Sequence, residues 1–150
     1  MQGRRKARSM TLQALYEIDC TNHPTEEVIG SHINDENLSK RDEQFFREFV
    51  LGVLEHQKRL DSLIHRHAPE WPVSQMAIID RNILRIALFE FLIGGGTPPK
   101  VAINEAVELA KRFGSDSSRR FVNGVLGTLL SQHSTSPSRR QKYQSTVDRE

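Results

Sequence analysis

The sequence predicts an all-α protein of two small, packed helical-bundle lobes, and three observations carry that expectation. Apolar residues recur at helical spacing in successive segments, no stretch alternates as a half-buried strand would, and Pro69 and Pro72 break the chain midway. The lobes are expected over about residues 4–68 and 69–132, together forming one helical body over 1–132, with a basic, disordered tail over 133–150.

Taken in order, Arg5 to about Asp19 reads as a helix whose buried face is approximated by Ala7, Met10, Ala14, Leu15 and Ile18. Asn22, Pro24 and Gly30 punctuate the next segment and leave room for a short helix around Glu26. A long amphipathic helix is expected from Ser39 to His67, with Ser39 and Asp42 or Glu43 as its capping start, a stripe of Phe46, Val50, Val53, Gln57, Leu60 and Ile64, and a soft point at Gly52. Ser74 to about Ile93 is apolar almost all round, as a helix buried by several neighbours must be, and Gly94, Gly95 and Gly96 end it. Beyond Pro98 and Pro99, Ala102, Ala106, Leu109, Ala110 and Phe113 line one face of a further helix. Gly114 closes that helix, Ser115 or Asp116 is expected to cap the next, and Phe121, Val122, Val125, Leu126 and Leu129 form the last stripe.

The formal net charge of +2 hides an uneven distribution. Arg4, Arg5, Lys6 and Arg8 stand without an acid in the first eight residues, and Arg139, Arg140, Lys142 and Arg149 enrich the tail, so the body between is acidic. With a basic arm on an acidic body, any nucleic-acid contact is expected to be local rather than spread out. The alternative is that such termini are merely solubilising, which is the reading preferred for the C-terminal one. No apolar run reaches the roughly 20 residues that span a bilayer, the N-terminus lacks an apolar signal core, and the single Cys20 cannot form an internal disulfide. A soluble protein in the reducing cytoplasm is expected, with no membrane association.

Several residue groups resemble one family. Val101, Ala102, Ile103, Asn104, Glu105 and Ala106, then Leu109, Ala110 and Lys111, then Phe121, Val122, Asn123, Gly124, Val125 and Leu126 resemble the signature of the bacterial antitermination factor NusB. Leu84, Arg85, Ile86 and Ala87 after Asp80 and Arg81 are similar to its central helix, and Gln13, Ala14, Leu15 and Tyr16 to its first. The resemblance runs to about Leu130. Gly94 to Gly96, where relatives are more polar, and Ser117, where many carry an acid, depart from the pattern.

The resemblance implies a transcription antitermination factor that binds the single-stranded boxA element of ribosomal RNA leaders together with NusE, a small-subunit ribosomal protein, within a complex on RNA polymerase. It implies that the Arg-rich first helix, with Arg4, Arg5, Lys6 and Arg8, contacts RNA, joined by Gln13 and, near the C-terminal motif, by Lys111, Arg119 and Arg120. From the residues alone, Arg119 and Arg120 are either a solvated face or an anion contact, because arginine gains nothing from the dipole at a helix N-terminus. Asp80 and Glu90 would face NusE, against an alternative in which they pair internally with Arg81, Arg85 or Lys111. Tyr16 is read as a partner contact, an RNA contact or a half-buried core residue. A homodimer burying the partner surface would compete with NusE.

Catalytic constellations are not apparent. Gly94 to Gly96 ahead of Lys100 lack the Gly before and the hydroxyl after the Lys that a phosphate loop needs. His65 and His67 fall on different sides of a helix, which argues against a shared metal, and Cys20 with His23 lacks a third orienting group. No cofactor or metal is expected. Two rival classes remain: a protein-interaction module with little RNA affinity of its own, and an accessory piece of an RNA methyltransferase, for which no cofactor loop is found.

Overall fold

A computed structural model describes residues 2–94 and 96–134, and among them every regular element is helical. The elements are α1 (Gln2–Cys20), α2 (Thr25–Asp35), α3 (Lys40–Glu55), α4 (Gln57–His67), a short 3-10 turn (Val73–Gln75), α5 (Ile78–Leu88), a π turn (Phe89–Ile93), α6 (Pro99–Phe113) and α7 (Ser118–Ser134). The all-α expectation holds. The tail residues from 135 on, with Arg139, Arg140, Lys142 and Arg149, lie outside the described residues.

Helix α1 is the hub of the first half. Ala7 to Leu12 are six consecutive buried residues, because α1 packs against α2, α3 and α5 at once. Its polar members Arg8, Ser9 and Thr11 are therefore enclosed as well, and the Thr11 hydroxyl donates back to the Ala7 carbonyl. Helix α5 plays the same part in the second half, touching α1, α4, α6 and α7. Buried apolar side chains from both halves join in one core, from Ala7, Leu15 and Phe46 to Ile83, Leu126 and Leu129.

Four boundaries differ from the sequence reading. Helix α2 runs through Gly30 for three turns, since Val28 and Ile29 are buried and packing outweighs the glycine. The stretch from Ser39 to His67 is two helices that part at His56, where the ring Nδ1 and the backbone N–H both approach the Gly52 carbonyl. Ser39 does cap α3, accepting from the Asp42 N–H. Between Ser74 and Ile93 the chain forms the 3-10 turn, α5 and the π turn instead of one helix. At α7 the expected cap is reversed: the Ser115 N–H donates to Ser118 Oγ, and the helix begins only at Ser118.

The π turn has a packing cause. The Phe89 ring stands edge-on to Phe49 at 5.1 Å between centroids and lies directly over Gly52 and Gly94, where no Cβ would fit. Gly96, at φ 63, then takes the left-handed conformation that lets the chain turn into α6. Among the described residues no helix is long and apolar enough to cross a membrane.

A charge cluster ties α1 to α4 and α5. Asp19 accepts from Arg81 Nη2 at 2.8 Å and from Asn82 Nδ2 at 3.0 Å, while Arg85 grips Asp61 through Nε at 2.8 Å and Nη2 at 3.0 Å. Burial alone would raise the Asp19 carboxyl, but the hydrogen bonds from Arg81 and Asn82 and the charges of Arg81 and Arg85 hold it below its usual range. A carboxyl depressed in the folded state stabilises the fold above its unfolded pKa of about 3.9, and loses that contribution as pH falls through the folded value. Asp19→Asn should therefore melt below the parent protein at pH 7, with the gap closing as pH drops below about 4, as thermal circular dichroism would record.

Candidate nucleic-acid interface

The predicted RNA-facing cations divide into two places. Along α1, two contiguous recesses of about 230 and 420 Å³ share Arg5, Ser9 and Arg112, the first reaching Lys111 and the second Lys6 and Gln13. Helix α6 closes one side of this groove, and Arg112 Nη1 donates to Ser9 Oγ at 3.2 Å across it. Arg112 and Glu105 are groove residues that sequence reasoning missed. A basic residue in the last turn of a helix reads as a dipole partner, so nothing local marked Arg112 as reaching α1.

Every cation of the arm meets a carboxylate from another element. Arg4 Nε lies 3.6 Å from Asp42, Arg5 donates through Nε and Nη2 to Glu105 at 3.3 and 3.2 Å, and Lys6 Nζ is 2.8 Å from Glu36. Arg4 also lies over the Phe45 ring, 4.4 Å from its centroid.

Arg8 and Glu90 correct the sequence reading. Arg8 is only 7% exposed and Glu90 1%. Arg8 Nε donates to both Glu90 oxygens, at 3.1 and 3.2 Å, and the Thr97 hydroxyl completes the site at 2.9 Å. Glu90 therefore presents no carboxylate to a partner, and Arg8 presents no free guanidinium to solvent. The π turn aims Glu90 inward, a bend that helical periodicity does not reveal.

The second place lies at the start of α5 and α7. Trp71, Gln75, Met76, Ala77, Asp80, Ser117, Arg120 and Phe121 line a recess of about 370 Å³. Trp71 is 57% exposed and meets Phe121 edge-on at 6.4 Å. Asp80 is buried in the first turn of α5, where the helix dipole favours it, yet its Oδ1 has no hydrogen-bond partner among the described residues. Internal pairing with Arg81 or Arg85 is not what the structure shows, since both hold Asp19 and Arg85 also holds Asp61. Lys111 pairs with Glu108. Arg119 is exposed on the same turn as Arg120, and Tyr16 is 42% exposed, with its pKa raised by the neighbouring Cys20 side chain.

The sequence and the helical fold both have counterparts among known proteins. The NusB family model matches residues 5–131. This chain belongs to the NusB family. The transcription antitermination protein NusB of Roseiflexus castenholzii is 52% identical over 132 residues, covering 87% of this chain and 93% of that protein. NusB of Bacillus subtilis is 43% identical over 128 residues, covering 85% and 95%. Among solved structures, T. maritima NusB superposes with a TM-score of 0.79 at 27% identity, covering 95% of this chain and 96% of that one. A structure of NusB and NusE in complex with double-stranded RNA shares the fold, with a TM-score of 0.79 at 23% identity, covering 88% and 98%.

Proposed function

We propose that this NusB family member is a cytoplasmic transcription antitermination factor that binds boxA-like RNA of ribosomal RNA transcripts together with NusE, and so helps assemble an antitermination complex on RNA polymerase. It acts by binding rather than by catalysis. The observation that carries the reading is the groove in which Arg5, Lys6, Gln13, Lys111 and Arg112 converge. Cations on a groove wall neutralise phosphates without reading sequence, and Gln13 supplies an exposed amide for a base edge. Arg4 extends the same face, while Arg8 supports it from within.

Asp80, Trp71, Phe121 and Arg120 form the partner surface in this reading. An enclosed carboxylate oxygen without a donor is costly, and a cationic partner side chain entering beside Trp71 would satisfy it. Tyr16 offers a second exposed contact, and Arg119 extends this face.

Fluorescence anisotropy of a labelled single-stranded boxA-like RNA, its scrambled counterpart and a duplex, at two salt concentrations with and without NusE, tests the reading. The expected result is salt-sensitive binding that strengthens with NusE and discriminates against the scrambled strand. Asp80→Arg should abolish the NusE enhancement while leaving the affinity of the protein alone unchanged. The recess at Asp80 also favours a second reading, an interaction module with little RNA affinity, which predicts NusE binding with no effect of RNA. A homodimer formed through this recess would appear in light scattering as a mass that falls on dilution and with added NusE.

A further inference from the structure

Resting on that reading, we propose that Glu36, Asp42 and Glu105 are built-in competitors of RNA phosphate, so that RNA binds the arm by exchanging a carboxylate for a phosphate rather than by meeting free cations. The acids come from three separate parts of the fold. Glu36 is the extended residue just past α2, Asp42 stands in the first turn of α3, and Glu105 lies on α6.

Local structure does not explain all three acids. An anion at the C-terminal end of a helix opposes the dipole, so Glu36 gains nothing from α2, and the compensation comes from Lys6 at 2.8 Å. Asp42 lies so close to α1 that a Cβ on Gly3 would collide with its carboxylate; the glycine lets the acid reach the arm. Glu105 holds Arg5 with two hydrogen bonds and stands 3.7 Å from Arg8.

Exposure separates exchangeable from fixed pairs. The side chains of Arg4, Arg5 and Lys6 are 41%, 60% and 48% exposed against 19%, 15% and 36% for Asp42, Glu105 and Glu36. Each pair is thus open to solvent on its cation side, where ion pairs hold weakly, and Lys6–Glu36 is open on both. The Arg8 and Glu90 side chains, at 8% and 1%, form a fixed pair. Phosphate can therefore take three of the four cations; Glu36, the most exposed of the released carboxylates, then gathers counterions of its own, while Glu105 keeps Arg8 at 3.7 Å. That uptake offsets part of the counterion release from the RNA, so binding is both weaker and less salt-dependent than the cations alone would give.

The test is the same RNA titration with the full chain carrying Glu36→Gln, Asp42→Asn, or both, and with Glu26→Gln as a control that removes an equal charge from a Glu paired with Arg47 elsewhere. Each amide at 36 or 42 should tighten binding about twofold to fivefold and steepen the salt dependence, while Glu26→Gln should do neither. Affinity unchanged by Glu36→Gln, or raised equally by Glu26→Gln, overturns the proposal. Glu36→Gln decides the question even if Asp42→Asn weakens the start of α3. Equal gains on boxA-like and scrambled strands would sustain the exchange but sink the boxA reading, and parent and variants alike in specific binding would do the reverse. Failure of parent and variants alike to bind any RNA overturns both.

Discussion

Replacing Glu90 with alanine should lower the unfolding free energy by about 3–5 kcal/mol, the cost of leaving a buried charge without its partner. Arg8 would then keep only Glu105, 3.7 Å from Nη1, and the Thr97 hydroxyl would lose its acceptor. Chemical denaturation followed by circular dichroism measures the loss, and a change below about 1 kcal/mol would place the pair in the class of screened surface bridges. The double replacement Arg8→Met with Glu90→Leu should recover most of it, because neither charge then remains to be desolvated. Recovery would separate the pair's contribution to the register of α1 on the π turn from any contribution to net stability.

Removing two groove cations, with Arg5→Ala and Lys6→Ala combined, should weaken boxA-like RNA binding roughly ten- to hundredfold at low salt. The salt dependence should become shallower by up to roughly 0.7 in log–log slope per lost contact. Glu36 would remain without Lys6, while Glu105 would keep only Arg8 at 3.7 Å, so the loss should exceed that of two missing contacts. Anisotropy across a salt series measures both quantities. Thermal stability should change little, since both cations are exposed and their ion pairs are screened. An unchanged affinity would remove the α1 groove from the RNA path.

Periodicity revealed α1, α6 and α7 because each has one buried stripe whose spacing survives in the sequence. The sequence hinted at a soft point at Gly52 but could not reveal a break at His56, because Val53, Leu60 and Ile64 keep a buried face across it. The π turn was equally hidden: the Phe89 ring rests on Gly52 of α3 and on Gly94, the residue that closes the turn itself. The same limit governed the candidate site. The cations of the arm were legible as a cluster, whereas their partners Asp42, Glu36, Glu105 and Glu90 are scattered over the sequence and meet them only in the fold. For that reason Arg8 read as an RNA contact, and Glu90 as a partner contact or an internal pair with Arg81, Arg85 or Lys111 rather than with Arg8. Asp80 was legible as a costly acid on an apolar helix, but the neighbouring Trp71 was not, since a tryptophan between two prolines carries no periodic signal.

The distribution of charge on the arm also bears on how this protein finds a target among bulk nucleic acid. Four cations each facing a carboxylate within 4 Å look, from a Debye length of about 8 Å, like a set of dipoles whose potentials fade faster with distance than those of bare charges. Long-range steering is then weak, and encounters with arbitrary RNA are neither accelerated nor prolonged. Residence time instead of capture rate becomes the quantity that distinguishes one RNA from another, and a dilute regulator can sample many wrong strands without being sequestered by them.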